Sequence, residues 1–116
     1  MFLQLAHTKL DVFRFSQELV LECYRITKTF PVDERFSMVQ QIRRAALSVH
    51  LNVSEGCSRK SKRERSRYYE MARGSVIEID SAIGIAHKLS YLSPDELKLL
   101  GGLIVKNFKI LSGMIG

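Results

Sequence analysis

Apolar residues recur along this chain at steps of three and four in four separate blocks, the spacing of one face of an α-helix. In the first block Val12, Phe15, Leu19, Cys23, Ile26 and Phe30 form that face. Pro31 ends it, because its ring lacks an amide donor and restricts the residue before it. The second block begins near Asp33 or Glu34 and carries Val39, Ile42, Ala46, Val49 and Val53. Gly56 follows, and is expected as a left-handed cap. In the third block Ser61 and Glu64 have the spacing of a reciprocal capping box. Its face runs through Tyr68, Ala72, Ser75, Ile79, Ala82, Ile83, Ala86 and Leu89, a coiled-coil-like seam. The fourth block opens with Ser93-Pro94-Asp95-Glu96: a cap, a proline suited to the first helical position, and two acids at the positive end of the helix dipole. Leu97, Leu100, Ile104, Phe108, Leu111 and Ile115 form its apolar face.

The pattern predicts helices over about 9–30, 34–56, 61–90 and 94–115. Short connections force neighbouring helices to run antiparallel, so the expected fold is all-α, an antiparallel up-down four-helix bundle. A chain of 116 residues suits one domain, residues 1–116, around one core. Strand alternation, tandem repeats and low-complexity tracts are absent from the sequence. Several apolar residues fall outside the seams: Phe13, Val20 and Tyr24, then Ile77 and Ile85, then Leu99, Leu103, Ile110 and Met114. Second stripes of this kind predict self-association. Gly101 and Gly102, inside the fourth helix, are expected where another helix comes close.

Charge changes the picture. The chain carries 18 basic and 12 acidic side chains, a net charge of +6. Nine Lys/Arg and three Glu lie between Gln40 and Ser75, so the whole excess is regional. Arg59, Lys60, Lys62, Arg63, Arg67 and Arg73 form its centre, and Tyr68 and Tyr69 follow closely enough to stack on bases. The planar fork of arginine suits phosphate better than a point charge does. No base-reading motif is present, so binding here would be led by the nucleic-acid backbone and sensitive to salt. The competing reading is a solvated helix face, and composition alone leaves the two level.

Catalytic chemistry is poorly represented. His7, His50 and His87 share no ligand spacing, and no serine sits in a nucleophile-elbow context. Between Val49 and Leu51, His50 reads as a partly buried or interface side chain. Cys23 and Cys57 are 34 positions apart and form neither a zinc motif nor a secreted disulfide framework. No metal and no cofactor are expected. Arg43, Arg44, Asn52, Glu55 and Glu78 read instead as a structural polar and ion-pair network, since a charge near a core needs a partner. Glu55, Glu78 and Asp80 as metal ligands of a nuclease rank last. No apolar run approaches the roughly 20 residues of a membrane span, and no basic start precedes an h-region. The expectation is a cytoplasmic protein with no membrane partner.

The stretch QIRRAALSVHLNVSEGCSRKSKRERSRYYEMARGSVIEID resembles the bacterial family of 23S rRNA intervening sequence proteins. The matching positions are Gln41-Ile42-Arg43-Arg44-Ala45, Ser48, Asn52-Val53, Glu55-Gly56, Arg59, Ser61, Glu64, Arg67, Ala72, Gly74-Ser75 and Glu78. LDVF at Leu10–Phe13 and TKTFPVDERF at Thr27–Phe36 extend the likeness to about residues 9–112. The chain departs from the family pattern at Phe13, where tryptophan is common, and at Ser54, where alanine is common. At Arg65-Ser66 an aromatic and an aliphatic residue are usual. The resemblance implies a homopentamer of antiparallel bundles with no established enzymatic activity. It also implies a distant similarity to the nucleic-acid-binding accessory protein of diversity-generating retroelements. These implications favour a non-catalytic oligomeric bundle whose arginine-rich face binds RNA or DNA. The alternative is an oligomeric adaptor whose basic face meets an acidic protein partner.

Overall fold

The computed structural model describes residues 10–115; His7 and Lys9, the expected first residue of the opening helix, lie outside them. Four helices follow in order: α1 Asp11–Thr27, α2 Met38–Ser58, α3 Lys62–Lys88 and α4 Pro94–Met114. A short 3-10 turn, Val32–Glu34, joins α1 to α2. No strand occurs among the described residues. At a rise of about 1.5 Å per residue, the 27 residues of α3 span roughly 40 Å. The molecule is 43 Å along its longest axis, so α3 alone sets its length.

Each helix packs on its neighbours in the chain, and α1 closes the set by packing on α4. The fully buried centre contains Leu19, Cys23 and Ile26 of α1, Ile42, Val49 and Val53 of α2, Val76 and Ile79 of α3, and Leu100 and Leu111 of α4. Four polar residues are buried among the described ones, Ser16, Glu22, Thr27 and Asn107. Glu22 is nearly buried and is held by a forked contact from Arg25, at 2.7 Å from Nε and 2.5 Å from Nη2. Asn107 is fully buried, and its amide nitrogen donates to the carbonyls of Phe15 at 3.1 Å and Leu103 at 2.8 Å. That bond ties α4 to α1.

Local chemistry places the helix ends. Ser93 and Glu96 make the complete capping box at α4, with Pro94 in the first turn. At α3 only half of the expected box forms: Ser61 Oγ accepts from the Glu64 amide at 3.1 Å, with no return bond from the Glu64 side chain. α3 ends in a Schellman arrangement, with Tyr91 N donating to Ala86 O and Ser90 N to His87 O. Ser90 takes the left-handed position at φ 63°.

Gly56 is not the cap expected of it. It lies inside α2, and a Cβ there would sit 2.6 Å from Cε1 of Tyr69. The glycine is needed for close packing of α2 on α3. At Gly101 and Gly102 nothing lies within 4 Å of an added Cβ, so no helix of the protomer uses those positions for close approach.

Candidate nucleic-acid interface

The basic cluster forms the corner where α2 gives way to α3. Arg59, Lys60 and Ser61 are its linker, and Arg59 and Ser61 are both extended, with ψ 146°. Ser61 caps α3, so Lys62 and Arg63 fall in its first turn. There the partial positive charge of the helix end disfavours cations by roughly 0.3–1 kcal/mol each. Both helices carry a glutamate at the third position, Glu64 in α3 and Glu96 in α4, but the second position is Arg63 in α3 and Asp95 in α4. The α3 arrangement works against the stability of its own helix and suits an approaching anion.

The six residues expected to form one binding set divide into two groups. Arg59 is committed within the protomer. Its Nη2 donates to Glu55 Oε2 and to Tyr68 Oη, both at 2.9 Å, and its guanidinium lies 4.8 Å from the Tyr68 ring centroid. Only 39% of its side chain is exposed. Tyr68 is occupied by the same contact, which removes that ring face from base stacking. Arg73 is committed as well: Nη1 donates to Ser112 Oγ at 3.2 Å, and the guanidinium lies over Phe108 of α4.

The other four cations differ. Among the described residues, the side chains of Lys60, Lys62, Arg63 and Arg67 make no hydrogen bond, ion pair or ring contact. Arg63 and Arg67 are one helical turn apart and line an open depression of about 640 Å3 with Ser61, Glu64, Ser66 and Glu70. Neither glutamate forms an ion pair with them. The corner therefore presents cations whose neutralisation the protomer does not supply.

The expected polar network is not one network within the protomer. Arg43 reaches α1, where Nε donates to Thr27 Oγ1 at 2.9 Å and Nη2 to the Tyr24 carbonyl at 3.3 Å, above the Tyr24 ring. Glu55 pairs with Arg59, and Glu78 accepts from Gln41 Nε2. Asn52 donates to the carbonyl and hydroxyl of Ser48, and Ser75 donates to the same hydroxyl at 2.9 Å. Arg44 is exposed and lines a groove with Phe36, Gln41 and Ile85. Thr27, Ser48 and Ser75 are the partners that sequence reasoning missed, and only their small hydroxyl side chains at seam-facing steps hinted at them.

Burial or a hydrogen bond shifts the acidity of several groups. Cys23 is lifted from 9.0 to about 12, first by burial and then by the neighbouring Glu22. Burial raises Tyr69 too, aided by its hydrogen bond to Cys57 Sγ at 3.5 Å. The hydrogen bond to Glu34 raises Tyr91. His50 is half-buried between α1 and α2, its Nδ1 2.8 Å from Ser16 Oγ and its ring against Phe13. Among the described residues no three His, Cys, Asp or Glu side chains converge as metal ligands. No described helix is long and apolar enough to cross a membrane.

Comparison with known proteins gives three findings. A family model described as 23S rRNA-intervening sequence protein matches residues 8–113. No functionally curated protein matches the chain. A crystal structure of a protein of unknown function from the S23 ribosomal protein family of Bacteroides thetaiotaomicron superposes with a TM-score of 0.79. The two share 19% identity, and the likeness covers 90% of this chain and 97% of that one.

Proposed function

This chain belongs to the 23S rRNA-intervening sequence protein family, and from that premise we propose that it is a non-catalytic, self-assembling bundle that binds RNA or DNA by its phosphate backbone. The observation that carries the reading is the group of four cations, Lys60, Lys62, Arg63 and Arg67, left without partners at one corner. Phosphate oxygens would neutralise them and relieve the unfavourable charge at the start of α3. Arg59 holds the corner and Arg73 ties α3 to α4, so neither is assigned to binding.

The bundle order is antiparallel and up-down, assembled as a homopentamer in the cytoplasm. Connectors of three residues between α2 and α3 and of five between α3 and α4 support that order. So do the α2–α3 partners, whose numbers fall on one helix as they rise on the other: Gln41 with Glu78, Ser48 with Ser75, Arg59 with Tyr68. Exposed Leu51, Ile77, Ile85, Leu99 and Val105 support self-association, and they leave an acidic protein partner as the rival occupant of the basic corner.

Binding of a labelled RNA across a salt series tests the reading, together with the mass of the particle in solution. Affinity that is present at low salt and lost on changing Arg63 and Arg67 to Glu supports it. Absence of binding at low salt, or capture of an acidic protein that survives nuclease treatment, overturns it.

A further inference from the structure

We infer that Arg65 is a positioning residue: it holds the α2–α3 corner in the shape that presents Lys60, Lys62 and Arg63 to phosphate. The inference deepens the nucleic-acid reading and rests on it for its affinity arm.

A corner between two helices has a particular difficulty. The carbonyls at the end of the first helix and in the linker have no intrahelical partner. If they turned outward, a phosphate approaching the cations would meet their partial negative charge. Arg65 prevents this. Its Nη1 donates to the Lys60 carbonyl at 2.6 Å and to the Arg59 carbonyl at 3.2 Å, so one guanidinium takes up two consecutive carbonyls. Arg65 is half-buried, and it is the one arginine of the cluster bound to main-chain oxygens of the linker.

The linker is fixed from its other side as well. The Arg59 side chain is anchored on Glu55 and Tyr68. Residues 59 and 60 are thus pinned by a side chain at one end and by their carbonyls at the other, while the Lys60 side chain remains exposed. A site held this way loses less freedom on binding, which raises affinity without adding a contact. The residue type matters. Lysine would keep the charge, but both bonds leave Nη1, and a lysine ammonium ends one bond short of that atom on a stem with no rigid plane to aim it.

The test replaces Arg65 by Lys, with Arg63→Lys as the charge-preserving control and Arg65→Gln alongside in case the Lys variant fails to fold. Trypsin nicking after Arg59 and Lys60, located by mass, reports corner opening. A labelled RNA titrated across salt reports affinity and the number of phosphate contacts. We expect Arg65→Lys to be nicked about threefold to tenfold faster. We expect it to bind about threefold to tenfold more weakly, with the salt slope unchanged. Arg63→Lys leaves nicking as in the wild type. Wild-type nicking in both Arg65 variants, or faster nicking with wild-type affinity, overturns the inference and leaves the nucleic-acid reading standing. A wild-type protein that binds no RNA overturns both.

Discussion

Gly56 offers the sharpest stability test, because its substitution sets two effects of known sign against each other. The residue lies within α2, two positions before its end, and is buried against α3. Glycine inside a helix costs about 0.5–1 kcal/mol relative to alanine, so Gly56→Ala gains at most that amount from the backbone. Against this stands contact. The new methyl would lie 2.6 Å from Tyr69 Cε1, 3.0 Å from Cδ1 and 3.2 Å from Tyr68 Cβ. The Tyr69 ring is only 4% exposed, and its hydroxyl donates to Cys57, so it has little room to retreat. Overpacking of this kind costs typically 1–3 kcal/mol. The net expectation is destabilisation by about 1–2 kcal/mol. Gly84 in α3 supplies the control, since nothing lies within 4 Å of its added Cβ. Gly84→Ala should stabilise by about 0.5–1 kcal/mol. Urea unfolding at one fixed protein concentration measures both, since the proposed assembly would make apparent stability depend on concentration. Replacing Tyr69 by Leu in the Gly56→Ala background should recover stability relative to the sum of the single changes. A Gly56→Ala protein as stable as the wild type would refute the packing argument.

Three further outcomes follow from other features of the fold. Ser90 sits at φ 63°, a conformation that costs a non-glycine residue about 1–2 kcal/mol, so Ser90→Gly should raise stability by about 1 kcal/mol in urea unfolding. Cys23 is fully buried with its thiol lifted from 9.0 to about 12, so above pH 9 the unfolded chain releases its proton while the folded chain retains it. Stability should therefore be intact below pH 9 and fall as pH rises toward 12, and Cys23→Ala should flatten that decline. At pH 8 a thiol reagent should label the half-buried Cys57 before Cys23.

The helices were legible from periodicity because burial of one face is a local property of the sequence. Leu19, Cys23 and Ile26, the α2 seam, and Ala72, Ile79, Ile83 and Ala86 of α3 are all buried as their spacing predicts. The errors occurred where a polar contact outbid hydrophobicity. Tyr69, not Tyr68, enters the core, because Tyr68 is held by Arg59. Val76 replaces Ser75, whose hydroxyl turns to Ser48. In α4 the apolar choice was Phe108, yet Asn107 is inside, its amide nitrogen bonded to two carbonyls, and Phe108 lies under Arg73. Phe13, read as an outer-stripe residue, is buried beside His50.

The basic corner was legible as a cluster but not as two groups. Whether an arginine is free depends on acceptors the sequence does not place beside it. Ser112 is 39 positions from Arg73, and the Arg65 acceptors are main-chain carbonyls with no residue signature.

The division of the cluster is tested most directly by the salt dependence of RNA binding in two paired variants. With four free cations at the corner, the slope of log affinity against log salt should be about −3 on a single strand and about −4 on a duplex. Replacing Arg63 and Arg67 by Gln should reduce its magnitude by about 1.5–2. Replacing Arg59 and Arg73 by Gln should lower the melting temperature and leave the slope in place. Equal slopes in the wild type and the Arg63/Arg67 pair, or the larger loss in the Arg59/Arg73 pair, would contradict the account.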